Sequence, residues 1–188
     1  RGSLANGSFV FRGQRTAVSV RDADFKNACN KELKEAAETI LEKYKLAPVQ
    51  VNSGLPESFL RADLQQITSR LDPLDLVSQE GGQPKVRTDH PAISEIVEFL
   101  QNRGDQLGKN VLDYFSEPPY GWAKDTTRYL VAALLHAVSL KLRVSGDETF
   151  VQGDVAYGAF KSNQTFSKAG LGLRETRPDP DSLIRASE

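Results

Sequence analysis

The second half of the chain carries three apolar patterns of helical period in close succession. The first begins at His90 and ends at Gly104, the second ends at Pro118, and the third spans residues 125–139. Proline cannot continue a helix and glycine commonly ends one, so these residues separate the patterns. The apolar positions of the first two patterns fall on one helical face each: Ile93, Ile96, Val97, Leu100, Leu107, Val111, Leu112 and Phe115. Three consecutive helices are therefore predicted.

Two short strand patterns follow the third helix. Residues 140–144 and 149–152 are predicted as strands, joined by a polar turn at residues 145–148. Three helices followed by a two-stranded hairpin is the element order of a winged helix-turn-helix. The sequence thus predicts a winged-helix-like subdomain over residues 89–175, with a further strand near residues 171–173. This element order predicts a fold and leaves the function open.

The chain begins with a predicted β-hairpin. Residues 8–12 and 16–20 have strand composition, and the polar residues 13–15 between them suit a turn. Phe9 and Phe11 would share one face, because side chains alternate along a strand.

A long amphipathic helix is predicted after this hairpin. Apolar residues recur every three or four positions from Phe25 to Tyr44, and Asp22 or Asp24 could cap the helix at its N-terminus. We interpret it as a solvated surface helix that covers the sheet, and Pro48 ends the unit.

The remaining segments complete an α+β, mainly helical fold. Residues 49–51 are predicted as a short strand, and residues 60–71 as a second helix or a pair of short helices. Ser78 to Pro84 reads as a linker because it is polar and rich in glycine. We therefore expect a hairpin-plus-helices subdomain over residues 1–88, and a tail or linker over residues 176–188.

Composition excludes several classes of function. The 24 Lys and Arg residues nearly balance the 25 Asp and Glu residues, so the net charge of −1 gives no overall attraction to nucleic acid or to anionic membranes. Cys29 is the only cysteine, which rules out an internal disulfide and fits a reducing cytoplasm. No apolar run is long enough to span a bilayer. Because the chain starts at Arg1 and contains no Met, we expect a segment of a larger protein.

The sequence offers little for catalysis, so no enzyme site, cofactor, metal site or small-molecule substrate is predicted. His90 and His136 are the two histidines, and neither forms a His-x-x-x-His pair or another zinc-ligand spacing with Cys29. Residues 103–110 resemble a phosphate-binding loop only superficially. Their glycine spacing is one residue short, they follow a helix, and Asn110 replaces the hydroxyl that would hold magnesium.

DNA binding is the next function to consider, because winged helices often place their third helix in the major groove. Here that helix is apolar on most sides and has few basic residues, which suits protein contact better than base reading. The candidate DNA contacts are its few basic residues and those of the following strand: Lys124, Arg128, Lys141 and Arg143.

The segment Phe115-Ser-Glu-Pro-Pro-Tyr-Gly-Trp122 is the most distinctive local sequence. Tyr120 and Trp122 offer large apolar faces beside two stiff prolines. Two interpretations follow: an aromatic surface that binds a partner, or a rigid turn that Trp122 anchors in the core.

This segment, extended to Asp125 and followed by the apolar run Leu130–Leu135, resembles a motif in the large P-loop ATPases of bacterial BREX phage-defence systems. The opening Gly7–Gly13 with its following helix, and Asn163–Lys168, are similar to other regions of that family. The resemblance implies a fragment outside the ATPase core, so no ATP-binding residue can be carried over. It also implies a role in phage defence, in the bacterial cytoplasm, within a multiprotein complex that includes a methyltransferase.

The sequence therefore predicts a non-catalytic interaction module of a BREX-like ATPase. Its expected partners are other proteins of the defence complex, with double-stranded DNA as a second candidate and no membrane. Two alternatives remain open: a winged-helix transcription regulator, which would need a more basic third helix, and a structural spacer between other domains.

Overall fold

The computed structural model describes residues 6–11, 13–19 and 25–174. The chain separates into two compact units that are discontinuous in sequence. One comprises Arg1–Lys45 with Pro118–Gly121, and the other comprises Leu46–Glu117 with Trp122–Glu188. This division falls after Lys45, whereas the sequence predicts a subdomain boundary near residue 88. The predicted tail, residues 176–188, lies outside the described residues.

The first unit contains the predicted hairpin. Strands β1 (Asn6–Phe11) and β2 (Gln14–Ser19) pair antiparallel, with Phe11 opposite Gln14. The turn is therefore tighter than predicted, and Gly13 adopts a φ of 78°, which glycine tolerates without steric cost. The side chain of Phe11, and with it the predicted shared face, lies outside the described side chains.

Helix α1 (Phe25–Ile40) is 16 residues long, shorter than the predicted pattern. Its outer face carries two ion pairs with N–O distances of 3.8 Å: Lys31 with Glu35, and Lys34 with Glu38. Leu33, which the periodicity places on the apolar face, is 56% exposed. The predicted caps Asp22 and Asp24 lie outside the described residues.

The second unit contains the remaining helices and strands, and it confirms the α+β, mainly helical fold class. Its helices are α2 (Leu55–Arg61), α3 (Pro91–Arg103), α4 (Gly108–Ser116), α5 (Lys124–His136), α6 (Asp154–Phe160) and α7 (Asn163–Phe166). Its strands are β3 (Val77–Glu80), β4 (Gln83–Val86), β5 (Gln106–Leu107), β6 (Leu140–Val144), β7 (Asp147–Thr149) and β8 (Gly170–Leu173). Short 3-10 helices lie at Tyr44–Leu46, across the division of the units, and at Leu64–Gln66. Among the described residues, no helix combines the length and apolar character that crossing a membrane requires.

Helices α3, α4 and α5 followed by β6 and β7 confirm the predicted winged-helix order. The hairpin is tighter than predicted, because Ser145 and Gly146 both have positive φ, as a two-residue turn with the sheet's twist requires. Strand β8 then returns between β5 and β6, giving the antiparallel order β5-β8-β6-β7. The predicted strand near residues 171–173 is thus confirmed.

Two predictions for the middle of the chain are wrong. The segment predicted as a linker, Ser78–Pro84, forms most of the antiparallel hairpin β3–β4. Gly81 and Gly82 have φ of 58° and 79°, so the glycines that suggested flexibility instead supply a tight turn. Residues 49–51 form no strand. Residues 60–71 hold the end of α2 and a short 3-10 helix, which agrees with the pair of short helices.

His90 is the N-cap of α3, and the helix itself begins at Pro91, one residue after the predicted start. The Nδ1 atom of His90 accepts a hydrogen bond from the backbone N–H of Ala92 at 3.2 Å, which satisfies one of the free donors at the helix end. Gly104, with φ of 69°, ends the helix and donates its N–H to the Leu100 carbonyl at 2.8 Å. Desolvation, aided by the charge of Arg87, lowers the pKa of His90, so the neutral ring that can accept is favoured.

We expect His90→Ala to lower the free energy of unfolding by about 1 kcal/mol at pH 7.5, since a capping acceptor is lost. His90→Asn should keep most of it, because the amide oxygen can accept the same bond. Since the pKa of folded His90 lies below its unfolded value of 6.5, its contribution is present above pH 6.5 and decreases as pH falls below it. Denaturant unfolding at pH 7.5 and 5.5 measures this. If wild type and His90→Asn lost the same amount of stability between pH 7.5 and pH 5.5, this role of His90 would be contradicted.

Candidate functional site

Helix α5 is the third helix of the winged-helix order and therefore the element expected to read DNA. Every residue from Thr126 to Leu135 is buried. Helices α2, α3, α4 and α7 and strands β4 and β6 pack around it. The sequence predicts an apolar helix suited to protein contact, and the structure shows that this apolar face is covered by other elements of the same chain.

The cover over α5 is formed largely by α2. Phe59, which is fully buried, packs edge-on against Tyr129 with ring centroids 5.2 Å apart and against His136 at 5.8 Å. Just before α2, the Val49 carbonyl accepts a hydrogen bond from Thr126 Oγ1 at 2.7 Å. Both apolar packing and hydrogen bonds thus hold this segment on α5.

Arg128, one of the candidate DNA contacts, is fully buried within the second unit. Its Nη2 donates to the Ser53 carbonyl and lies 3.0 Å from Asp125 Oδ1. Asp125 Oδ1 also accepts from Asn163 Nδ2 at 3.0 Å, so the group joins the segment before α2, helix α5 and helix α7. Burial lowers the pKa of the Arg128 guanidinium, and the negative charge of Asp125 offsets part of this shift. With no exposed surface, Arg128 cannot reach a phosphate in this fold.

Tyr129, the next residue on α5, joins a second buried polar group. Its hydroxyl donates to Asp72 Oδ1, and the same carboxylate accepts the backbone N–H groups of Leu76 and Val77 at 2.8 Å each. Burial and the neighbouring Asp72 raise the pKa of Tyr129, so it remains a protonated donor. The group fixes the segment before β3 against α5, which is a structural task.

Lys124, at the start of α5, is half-exposed and forms an ion pair with Asp113 on α4, with Nζ 2.6 Å from Oδ1. This hydrogen bond lowers the pKa of the Asp113 carboxyl. Lys124 is therefore available at the surface, but it lies on a different element from the other exposed candidates.

Lys141 and Arg143 lie together on β6, beside a shallow groove of about 190 Å³ across the sheet. We call this the wing groove; it is lined by Asp105, Gln106, Leu107, Lys141, Arg143, Glu148, Gly170, Leu171 and Gly172. Lys141 pairs across the strands with Gly172, and Arg143 with Gly170. Lys141 Nζ lies 3.1 Å from Asp105 Oδ2, and Arg143 Nη2 lies 2.9 Å from Glu148 Oε2 and 3.9 Å from Asp105 Oδ2. The groove therefore holds two cations and two carboxylates at close range.

The two glycines of β8 make room for this arrangement. A Cβ at Gly172 would overlap Asp105 Oδ1 and the Lys141 Cε, and one at Gly170 would lie 3.3 Å from the Arg143 Cβ. Leu171, between them, is buried. The alternation Gly-Leu-Gly-Leu therefore gives β8 one face for the core and one bare face for charged side chains from its neighbours.

Tyr120 and Trp122 are 4% and 1% exposed, which favours the rigid-turn interpretation over an aromatic binding surface. The Trp122 ring stacks on the Phe115 ring with planes 7° apart, and the backbone N–H of Trp122 donates to the Phe115 carbonyl at 2.8 Å. Tyr120 belongs to the first unit, where Lys43 Nζ lies 5.3 Å from its ring centroid.

An exposed surface that the sequence did not indicate lies on the outer side of α4. The Arg103 guanidinium covers two rings, 4.9 Å from the centroid of Phe99 and 5.0 Å from that of Tyr114. Tyr114 and Leu107 are 37% and 51% exposed, although both are large and apolar. Leu107, Asn110 and Tyr114 fall on one helical face by their spacing, and with Arg103 they form what we call the α4 surface.

The sequence gives only weak signals for the other residues of the wing groove. Asp105 follows Gly104, the residue that ends α3, where an acidic residue is unremarkable, and the Gly-Leu-Gly-Leu alternation of β8 predicts only a strand. Among residues 6–11, 13–19 and 25–174, no cluster of three or more His, Cys, Asp or Glu side chains could hold a metal ion.

Because Arg128 is buried and structural, we expect Arg128→Ala to destabilise the chain by about 3 kcal/mol, since the Ser53 carbonyl loses its donor and Asp125 loses its positive partner. Arg128→Met should cost less, because methionine fills much of the space. Chemical denaturation gives both values. If either variant lost affinity for duplex DNA while its stability stayed unchanged, Arg128 would be a DNA contact and its structural assignment would be wrong.

Comparison with known proteins identifies the family. Residues 63–169 match the model of the BREX ATP-binding protein BrxC winged helix-turn-helix domain. The matched residues include α3, α4, α5, β6 and β7, the elements that show the winged-helix order. Searches of curated proteins and of solved structures gave no match. Since the matched region covers more than half of the 188 residues, the chain belongs to the BREX BrxC winged helix-turn-helix domain family.

Proposed function

We propose that this chain is a non-catalytic module that docks other proteins of a BREX phage-defence complex onto a BREX ATP-binding protein in the bacterial cytoplasm. The observation that carries this proposal is the complete burial of α5 from Thr126 to Leu135. A winged helix that reads bases needs an exposed third helix. Because α2 covers that helix, the module's remaining functional surfaces lie elsewhere.

The α4 surface supports protein docking. Exposed tyrosine and arginine side chains are the residues that most often dominate the energy of protein interfaces. Here Arg103 holds Tyr114 from one side, and Phe115 contacts the Tyr114 ring edge-on with centroids 5.1 Å apart. A tyrosine held in place loses little conformational entropy on binding, which makes it an effective anchor.

We expect the double substitution Leu107→Ser and Tyr114→Ser, made in the full-length protein, to weaken co-purification of the other BREX proteins at least tenfold. The matched control is Val155→Ser, which removes an exposed valine, 42% accessible, from α6. Thermal unfolding of each purified variant separates lost docking from lost folding. If the double variant still co-purifies the other BREX proteins as well as wild type does, docking through the α4 surface is wrong and a structural spacer between domains explains the chain better.

A second function, contact with DNA phosphates, is favoured by one specific feature, the pair of cations in the wing groove. Lys141 and Arg143 come from adjacent positions of one face of β6, with bare glycine strand beside them. A contact of this kind neutralises phosphates and carries no base specificity. It would supplement docking and would not make the module a sequence-specific regulator.

We expect fluorescence anisotropy with a labelled duplex of about 30 base pairs to detect binding that weakens steeply with salt, as counterion release requires. Lys141→Ala and Arg143→Ala should each reduce the slope of log binding constant against log salt concentration by about one, because each removes one phosphate contact. Lys85→Ala, in the exposed ion pair with Glu80 on the β3–β4 hairpin, is the control and should leave it unchanged. Absence of binding at low salt and tens of micromolar protein would exclude the phosphate contact.

A further inference from the structure

Asp105 lies in the wing groove at a position that is open only because Gly172 on β8 has no side chain. It lies between Gly104, which ends α3, and strand β5, and its carboxylate extends over β8 to Lys141 on β6. The chain thus carries an acidic side chain across a neighbouring strand to reach the two basic residues. This requires Gly172, because a Cβ there would overlap both Asp105 and Lys141.

We propose that Asp105 is a resident counter-ion that occupies the phosphate position of the wing groove, and that duplex DNA binds there by displacing it. The inference rests on the proposed phosphate contact and adds its regulation. A carboxylate and a phosphate oxygen present the same kind of acceptor to lysine and arginine. The groove is therefore an anion site whose first occupant belongs to the chain itself.

The strengths of the ion pairs allow such an exchange. The Lys141 side chain is 24% exposed and that of Asp105 is 49% exposed, so water screens their attraction. Arg143 lies closer to Glu148, at 2.9 Å, than to Asp105, at 3.9 Å, so Asp105 acts mainly on Lys141. A partly exposed pair of this kind is weakened by water on the Asp105 side, and a polyanion can replace its acidic member.

A duplex also gains more from this exchange than a single anion would. Lys141 and Arg143 lie two residues apart on one face of β6, which separates them by roughly 7 Å along the strand. Two cations at this spacing can contact neighbouring phosphates of one backbone. While Asp105 is in place, its negative charge also repels an approaching phosphate. Removing that charge should therefore tighten DNA binding without adding any contact.

The test compares Asp105→Asn with wild type by anisotropy on the same duplex, using the whole 188-residue chain. Asparagine keeps the size of the side chain and removes its charge. We expect roughly three- to tenfold tighter binding at low salt, because phosphate no longer has to displace a carboxylate from Lys141. In the Asp105→Asn background, Lys141→Ala should abolish the gain.

Glu98→Gln is the matched control, because it makes the same change in net charge at an exposed position on α3. An equal gain from Glu98→Gln would overturn the proposal and leave a general charge effect. If wild type binds and Lys141→Ala weakens that binding, but Asp105→Asn changes nothing, the phosphate contact stands and the displacement is wrong. If neither wild type nor Asp105→Asn binds duplex while both remain folded in circular dichroism, the phosphate contact itself is wrong and this inference fails with it.

Discussion

The enclosure of α5 sets the arrangement of the whole second unit. A helix whose residues from Thr126 to Leu135 are all buried must be covered on every side, and six other elements take part in covering it. Burial of so much apolar surface is the main favourable contribution to the stability of this unit. The helix also carries polar groups into the interior, and these need partners there. Arg128 finds Asp125 and the Ser53 carbonyl, and Tyr129 finds Asp72.

This enclosure changes what a winged helix can do. In a DNA reader, the third helix is exposed on one side so that its polar residues meet base edges. Here α2 fills that side with Phe59, and the helix offers no polar row to replace it. The surfaces that remain are the α4 surface, with its exposed aromatic ring, and the wing groove, with its balanced charges. We propose the first as the surface that docks protein partners and the second as a contact for DNA phosphates.

The wing groove depends on backbone detail as much as on charge. The Lys141 side chain can pass over β8 because Gly172 presents no side chain opposite it, and Gly170 leaves room beside Arg143. The same bare strand admits Asp105 from the far edge. Balanced charge in the groove agrees with the net charge of −1 for the whole chain, which gives no general attraction to polyanions.

The sequence alone determined the order of α3, α4, α5, β6, β7 and the presence of β8, because apolar period and turn residues are local signals. It also determined that α5 is apolar. Only the tertiary structure decided what lies against that helix, since cover by α2 depends on contacts between residues some 70 positions apart, such as Phe59 with Tyr129. The Gly81–Gly82 pair shows the same limit, because its composition is compatible with both a flexible linker and a tight hairpin turn. The sequence likewise gave no reason to select Asp105, because its contact with Lys141 depends on the strand register that places Gly172 beside Lys141.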